Sequence, residues 1–137
     1  MLIVKGKDKW RLCIAYSQSV NRYTELDAFP LPRIDDLIND LSKYRYFSKF
    51  DLRSAYHQIP LHPHDMKLTA FEANGRLFHF KRMPFGLTNA VGAFQRIITQ
   101  IVNEDALVGT YPYLDDVTVA GNSMEELEEH SRNFRRL

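Results

Sequence analysis

The apolar positions of this chain change period several times, and each change marks an element. Residues 10–16, "WRLCIAY", mix aromatic and β-branched side chains behind a charged turn and predict a strand. "SQSVNRYTELDAFPLPR" has no period and two prolines, so irregular chain is expected there. In "PRIDDLINDLSKYRYF", Ile34, Leu37, Ile38 and Leu41 recur at helical spacing after an acidic start, which predicts a short amphipathic helix. "YFSKFDL", Tyr46 to Leu52, predicts a strand, and "TAFEANGRLFHF" a hairpin turning on Asn74 and Gly75. Val91, Phe94, Ile97, Ile98, Ile101 and Val102 line one stripe of "GLTNAVGAFQRIITQIVN", a helix that Thr88 or Asn89 can cap. Residues 107–121 predict a second hairpin, and "NSMEELEEHSRNFRRL" a last helix with Ser123 and Glu126 at capping-box spacing. Strands and helices alternate without a βαβ rhythm, so the expected fold class is a mixed, largely antiparallel α+β arrangement.

Composition narrows this picture. A chain of 137 residues suits one domain that buries roughly two-thirds of its unfolded surface. Its 18 basic and 17 acidic residues exclude a strongly basic protein, so a polyanion would find only local footholds. Those footholds are Lys5, Lys7, Lys9 and Arg11 near the start, then Lys43, Arg45, Lys49 and Arg53; Glu125, Glu126, Glu128 and Glu129 gather near the end. The single Cys13 forms no internal disulfide, which suits a reducing compartment. "MLIVKGKDKW" is too short an apolar run for a signal peptide, and nothing approaches the roughly 20 apolar residues of a membrane span. The expectation is a soluble intracellular chain, in cytoplasm or nucleus, not secreted and without a membrane partner; oligomeric state is left open.

The candidate chemistry sits in "GTYPYLDDVTVAGNS", where Asp115 and Asp116 interrupt an otherwise sheet-like run. The chain's other acidic pair, Asp35 and Asp36, falls in the first turn of a helix, where the macrodipole and unpaired N–H groups favour negative charge. Asp115 and Asp116 fall instead at the tip between two apolar strands, where a tight turn lets neighbouring side chains share a target. Asp is also a common turn former, so an exposed loop tip is the plainer reading of the pair alone. Asp51, at the end of "YFSKFDL", adds a third carboxylate. Three carboxylates at one site would repel by about 4 kcal/mol per pair at about 4 Å and an effective dielectric near ~20, so a bound cation is needed to make the arrangement sensible. Magnesium is the natural candidate, and two such ions can stabilise the attacking and leaving oxygens of phosphoryl transfer. "LHPHD" places His62, His64 and Asp65 at metal-like spacing, but a proline turn accounts for them better.

Seven ordered blocks, "WRLC", "FPLPRIDDL", "YFSKFDLRSAYHQIPL", "KLTAF", "MPFGLTNA", "AFQR" and "YLDDV", cover residues 10–117. With them the chain resembles the reverse transcriptase domain of gypsy-type LTR retrotransposons, related to retroviral polymerases. The resemblance implies a partial right-hand polymerase fold: fingers over about 1–27 and 59–88, palm with an antiparallel sheet over about 28–58 and 89–137, and no thumb. It implies an RNA-directed DNA polymerase that uses two Mg²⁺ ions, for which Mn²⁺ can substitute, to add deoxynucleotides to a primer. Its partners would be an RNA or DNA template with a DNA primer, and deoxynucleoside triphosphates; RNase H would follow in the full reading frame.

Residue by residue, the resemblance makes Asp51, Asp115 and Asp116 the catalytic metal-binding triad, with the Leu52 carbonyl as a further ligand. Ser54, Ala55 and Tyr56 would cradle the triphosphate through backbone N–H groups. Tyr56 would also pack under the sugar and exclude a 2′-hydroxyl, although a core aromatic is the plainer reading of its type. Phe85 and Gly86 would line the nucleotide pocket, Gln95 would face template or nucleotide, and Arg11 would reach the α-phosphate. Lys5 and Lys7 are rival candidates for the γ-phosphate, or a solvated turn.

The chain also departs from the family. "CIAYSQSVN" stands where "CVDYRxLN" is usual, so Ala15 and Ser17 replace an Asp and an Arg, and a residue is inserted before Asn21. Val91 replaces the proline of "TNAP", and Gly92 follows inside a helix at about 1 kcal/mol relative to alanine. These changes, with the missing thumb, imply little or no processive synthesis by the isolated chain. The alternative is a non-enzymatic remnant that binds nucleic acid or a protein; another two-metal phosphotransferase on a palm-like sheet is the third reading.

Overall fold

The computed structural model describes residues 2–6 and 9–137, with side chains described from Leu12 onward. It resolves into two compact units, Met1–Asp27 with Ser54–Val91, and Ala28–Arg53 with Gly92–Leu137.

In the first unit, β1 (Leu2–Gly6) and β2 (Lys9–Cys13) pair antiparallel from Gly6↔Lys9 to Leu2↔Cys13. The strand expected over 10–16 therefore stops at Cys13, where its ladder ends. Tyr16, beyond it, is buried and its hydroxyl donates to the Thr69 carbonyl at 3.0 Å. Burial pushes its pKa up to about 12, because the phenolate would be cut off from water. Pro63 opens a short helix, α2 (Pro63–Met66), with His62 as its cap accepting from the His64 N–H at 3.4 Å. β4 (Phe71–Ala73) and β5 (Arg76–Phe78) form the expected hairpin, and Asn74 and Gly75 both take positive φ, 54° and 70°, as the favoured hairpin turn requires.

The second unit is built on a three-stranded antiparallel sheet in the order β3 (Tyr46–Asp51), β7 (Asp116–Gly121), β6 (Thr110–Tyr113). The helices are α1 (Ile34–Leu41), α3 (Ala90–Glu104), whose first two residues belong to the first unit, and α4 (Met124–Phe134). Alternation sends Val117 and Val119 to one face, where Leu127 and Phe134 of α4 cover them and Phe50, Leu52 and Leu107 pack alongside. Phe50 and Phe134 meet with ring centroids 5.2 Å apart. Ser123 caps α4 by accepting from the Glu126 N–H at 3.1 Å, while the Glu126 carboxylate accepts from the Asn122 N–H at 2.8 Å, one residue earlier than a strict capping box.

Two helices differ from expectation. In α3 the buried positions are Ala90, Phe94, Gln95, Ile98 and Val102, whereas Val91 and Ile97 at the stripe's margins are exposed. Asn89 does not spend its side chain on a cap: its amide donates to the Glu25 carbonyl at 2.8 Å and accepts from the Asp27 N–H at 3.0 Å. In α1 Ile34 and Ile38 are exposed, although Asp35 and Asp36 occupy the first turn as expected. Among the described residues no helix is long and apolar enough to cross a membrane.

α3 ends in a Schellman arrangement. Leu107 N donates to Val102 O at 3.0 Å and Ala106 N to Asn103 O at 3.2 Å, with Ala106 at φ 47° in the position that favours glycine. Ala106→Gly is expected to stabilise the chain by about 1 kcal/mol, from relief of the left-handed strain. Urea unfolding at unchanged slope checks this; a lower midpoint contradicts it.

Candidate active site

The site begins with register. β3 and β7 pair from Tyr46↔Gly121 to Asp51↔Asp116, so Asp51 and Asp116 face each other at the end of the ladder. Directly opposed residues share a face, so Lys49, Asp51, Asp116 and Thr118 lie together on the side away from Phe50, Val117 and Val119. β6 and β7 close through the two-residue turn Leu114–Asp115 between the pair Tyr113↔Asp116. Leu52 N donates to the Asp115 carbonyl at 2.9 Å, fastening the turn to the chain just beyond β3. Two neighbouring aspartates thus sit at a turn, and the third is brought to them by strand pairing.

Part of the charge is offset from within. Lys49 Nζ lies 2.8 Å from Asp116 Oδ2. Its pKa is raised by the hydrogen bond and charge of Asp116, and further by the charges of Asp51 and Asp115. All three carboxylates therefore act on one ammonium. Lys49 supplies one positive charge beside the three carboxylates, and among the described residues no group of three His, Cys, Asp or Glu side chains is gathered in ligating geometry. The donor chemistry fits a hard divalent cation all the same: carboxylate oxygens, on one sheet end, in surroundings that already attract a cation.

The turn is held by strain and a clamp. Leu114 has φ 56°, a left-handed conformation that costs a non-glycine residue about 1–3 kcal/mol and persists only where its surroundings fix it. Gln95, fully buried, accepts from the Leu114 N–H at 2.8 Å and donates to the Pro112 carbonyl at 3.1 Å. The amide expected to face template or nucleotide is thus engaged with the hairpin backbone. A signal was present in the sequence, since an amide at spacings of four, three and seven residues from Val91, Ile98 and Val102 falls inside the apolar stripe.

The remaining expected residues belong to the first unit. Ser54 takes φ 54° and leads into a 3₁₀ turn, Ala55–Gln58, in which Ala55 is buried and Tyr56 half-buried. The Tyr56 and Phe85 rings meet edge to face, centroids 5.4 Å apart. Gly86 has φ 91°, and a Cβ there would stand 3.2 Å from the Ile14 carbonyl, so the fold itself requires glycine. Asn21, whose role sequence reading missed, holds this loop by donating to the Gly86 carbonyl at 2.7 Å and accepting from the Thr88 N–H at 2.9 Å. Lys7 and the side chains of Lys5 and Arg11 lie outside the described residues. Ala15 and Ser17 are exposed.

The comparisons with known proteins agree with this architecture. The profile of the family "Reverse transcriptase (RNA-dependent DNA polymerase)" matches residues 3–137, and the chain belongs to that family. It is 40% identical over 121 residues to the retrovirus-related Pol polyprotein from transposon 412 of Drosophila melanogaster, covering 88% of this chain and 10% of that protein. To the corresponding polyprotein from transposon gypsy of the same organism it is 36% identical over 125 residues, covering 91% and 12%. An RNA-directed DNA polymerase homolog from Oenothera berteroana is 34% identical over 125 residues, covering 91% of this chain and 87% of that one. The foamy viral protease-reverse transcriptase solved in complex with double-stranded DNA shares the fold at TM-score 0.87 and 21% identity, over 98% of this chain and 23% of that one. The chain thus shares its fold with a solved reverse transcriptase, is similar to gypsy-type relatives, and spans about a tenth of the length of the transposon polyproteins named. Members of this family use divalent metal ions.

If Lys49 is the internal counter-ion, it competes with any added cation. Lys49→Met is expected to tighten Mn²⁺ binding several-fold while leaving the thermal midpoint nearly unchanged, because exposed ion pairs contribute little to stability. Mn²⁺ titration followed by electron paramagnetic resonance checks this, and unchanged or weaker binding contradicts it.

Proposed function

We propose that this chain carries the catalytic centre of an RNA-directed DNA polymerase that extends a primer on an RNA or DNA template. The observation that carries the reading is the Asp51↔Asp116 pairing with Asp115 in the adjoining turn, within a chain of the reverse transcriptase family. In this reading Asp51, Asp115 and Asp116 hold divalent cations, two Mg²⁺ with Mn²⁺ as substitute, and the Leu52 carbonyl adds an oxygen. When bound, the cations would supply positive charge to the attacking 3′-hydroxyl and the departing pyrophosphate.

The chain's own groups do the rest. Lys49, now 2.8 Å from Asp116, would yield that carboxylate to a bound cation. Ser54, Ala55 and Tyr56 present backbone N–H groups to the triphosphate, and the Tyr56 ring, braced on Phe85, closes the space under the sugar against a 2′-hydroxyl. Phe85 and Gly86 line the nucleotide pocket; Arg11 and either Lys5 or Lys7 meet the phosphates. Template and primer are held through Lys and Arg contacts to phosphate, so binding falls steeply with salt. The foamy viral enzyme has been solved both with double-stranded DNA and with an RNA/DNA hybrid, which supports a template–primer as partner here.

The test is primer extension on an RNA template with Mg²⁺. The wild-type chain is expected to add one or a few deoxynucleotides without processivity. Asp51→Asn and Asp115→Asn should each lower that rate by on the order of 10²-fold or more, the scale of removing a group that stabilises transition-state charge. Template-dependent synthesis unaffected by either substitution removes the assignment, and a chain that takes up neither Mg²⁺ nor nucleotide in titration favours the non-enzymatic reading.

A further inference from the structure

Gln95 is the fully buried polar side chain of the second unit that the chemistry above leaves unused. Its amide orientation is forced, because a backbone N–H only donates and a carbonyl only accepts. Oε1 therefore accepts from Leu114 N at 2.8 Å, while Nε2 donates to Pro112 O at 3.1 Å and to Thr99 Oγ1 at 3.2 Å. β6 is an edge strand. Ala120 N donates to Gly109 O at 2.8 Å, so alternation turns the backbone groups of Gly109, Tyr111 and Tyr113 toward β7 and those of Pro112 and Leu114 toward the open edge. A carbonyl at one residue and an N–H two residues on are the pair that one residue of a parallel neighbouring strand would engage. The Gln95 amide takes that place, as a peptide group supplied by a helix. It grips the hairpin at the residue before Asp115, where the backbone is held at φ 56°.

We propose that Gln95 is a positioning residue for the metal-binding aspartates: by fixing the Pro112–Leu114 edge it sets the aim of Asp115 and Asp116 relative to Asp51. The inference rests on the proposed metal role of these carboxylates. Removing the amide leaves Leu114 N and Pro112 O without their partner and lets the turn relax from its left-handed conformation, which moves the two side chains that follow.

The experiment compares the 137-residue chain with Gln95→Met and Gln95→Glu, reading amide hydrogen exchange at Leu114 without metal and Mn²⁺ affinity by electron paramagnetic resonance. In Gln95→Met, exchange at Leu114 should accelerate at least about tenfold and Mn²⁺ affinity fall about tenfold, the scale seen when a supporting partner of a metal ligand is lost. In Gln95→Glu the introduced carboxyl, while protonated, can donate to Pro112 O and accept from Leu114 N, and burial raises its pKa. The ratio of its Mn²⁺ affinity to wild type should therefore approach one at low pH and fall as pH rises through that pKa. A role confined to packing predicts a ratio that does not move with pH. A folded Gln95→Met chain with wild-type Mn²⁺ affinity, or a flat ratio for Gln95→Glu, overturns the inference alone; the Glu variant decides where the Met variant fails to fold. A wild-type chain that takes no Mn²⁺ overturns the reading of the site, and this inference with it.

Discussion

The register between β3 and β7 is the constraint on which the rest depends. It is set on the buried face, where Phe50 lies opposite Val117 and Val119 stands in the same apolar layer beneath α4. A slip of one residue would carry these side chains to solvent and bring Lys49, Asp51, Asp116 and Thr118 toward the core, so the apolar packing strongly opposes it. Hydrogen bonds beyond both ends reinforce the pairing, from Arg45 N to Gly121 O at 3.2 Å and from Leu52 N to Asp115 O at 2.9 Å. Hydrophobic burial on one face thus decides which charges meet on the other. The acidic end of the sheet is a consequence of the core.

Side-chain amides recur as the means of fixing irregular backbone in this chain. Asn21 spans Gly86 and Thr88, Asn89 spans Glu25 and Asp27, and Gln95 spans Pro112 and Leu114. Each uses one acceptor and one donor of its amide on main-chain groups, as a short strand segment would. Such bonds are individually modest, about 1 kcal/mol each, yet they are directional where hydrophobic packing is not. Apolar burial places the elements; the amides set the loops and the turn.

Much of this was legible in the sequence where local chemistry is decisive. Asn74–Gly75 turned the first hairpin because both residues accept positive φ, Ser123 capped α4, and the apolar run around Asp115 and Asp116 formed the second hairpin. The limits arose where a residue's role depends on distant chain. Asn21 acts 65 and 67 residues away and Asn89 62 and 64 residues away, and no local pattern announces either partner. Lys49 read as one charge of a basic stretch, and its pairing with Asp116 follows only once Lys49 is opposite Thr118. The strand through Tyr16 was overextended because propensity continues past Cys13 while the partner strand does not. The spacing of Gln95 placed it among apolar positions, but its bonds to Pro112 and Leu114 follow only from the hairpin packed beside it.

Strand pairing brings Asp51 and Asp116 together beside the turn that carries Asp115, and the proposed function requires these carboxylates to attract one cation between them. The most direct measurement is residue-resolved paramagnetic broadening of the amide spectrum by substoichiometric Mn²⁺. Signals of Asp51, Leu52, Asp115 and Asp116 should vanish first and together. Broadening that leaves them sharp and centres instead on Glu125, Glu126, Glu128 and Glu129 would contradict the account.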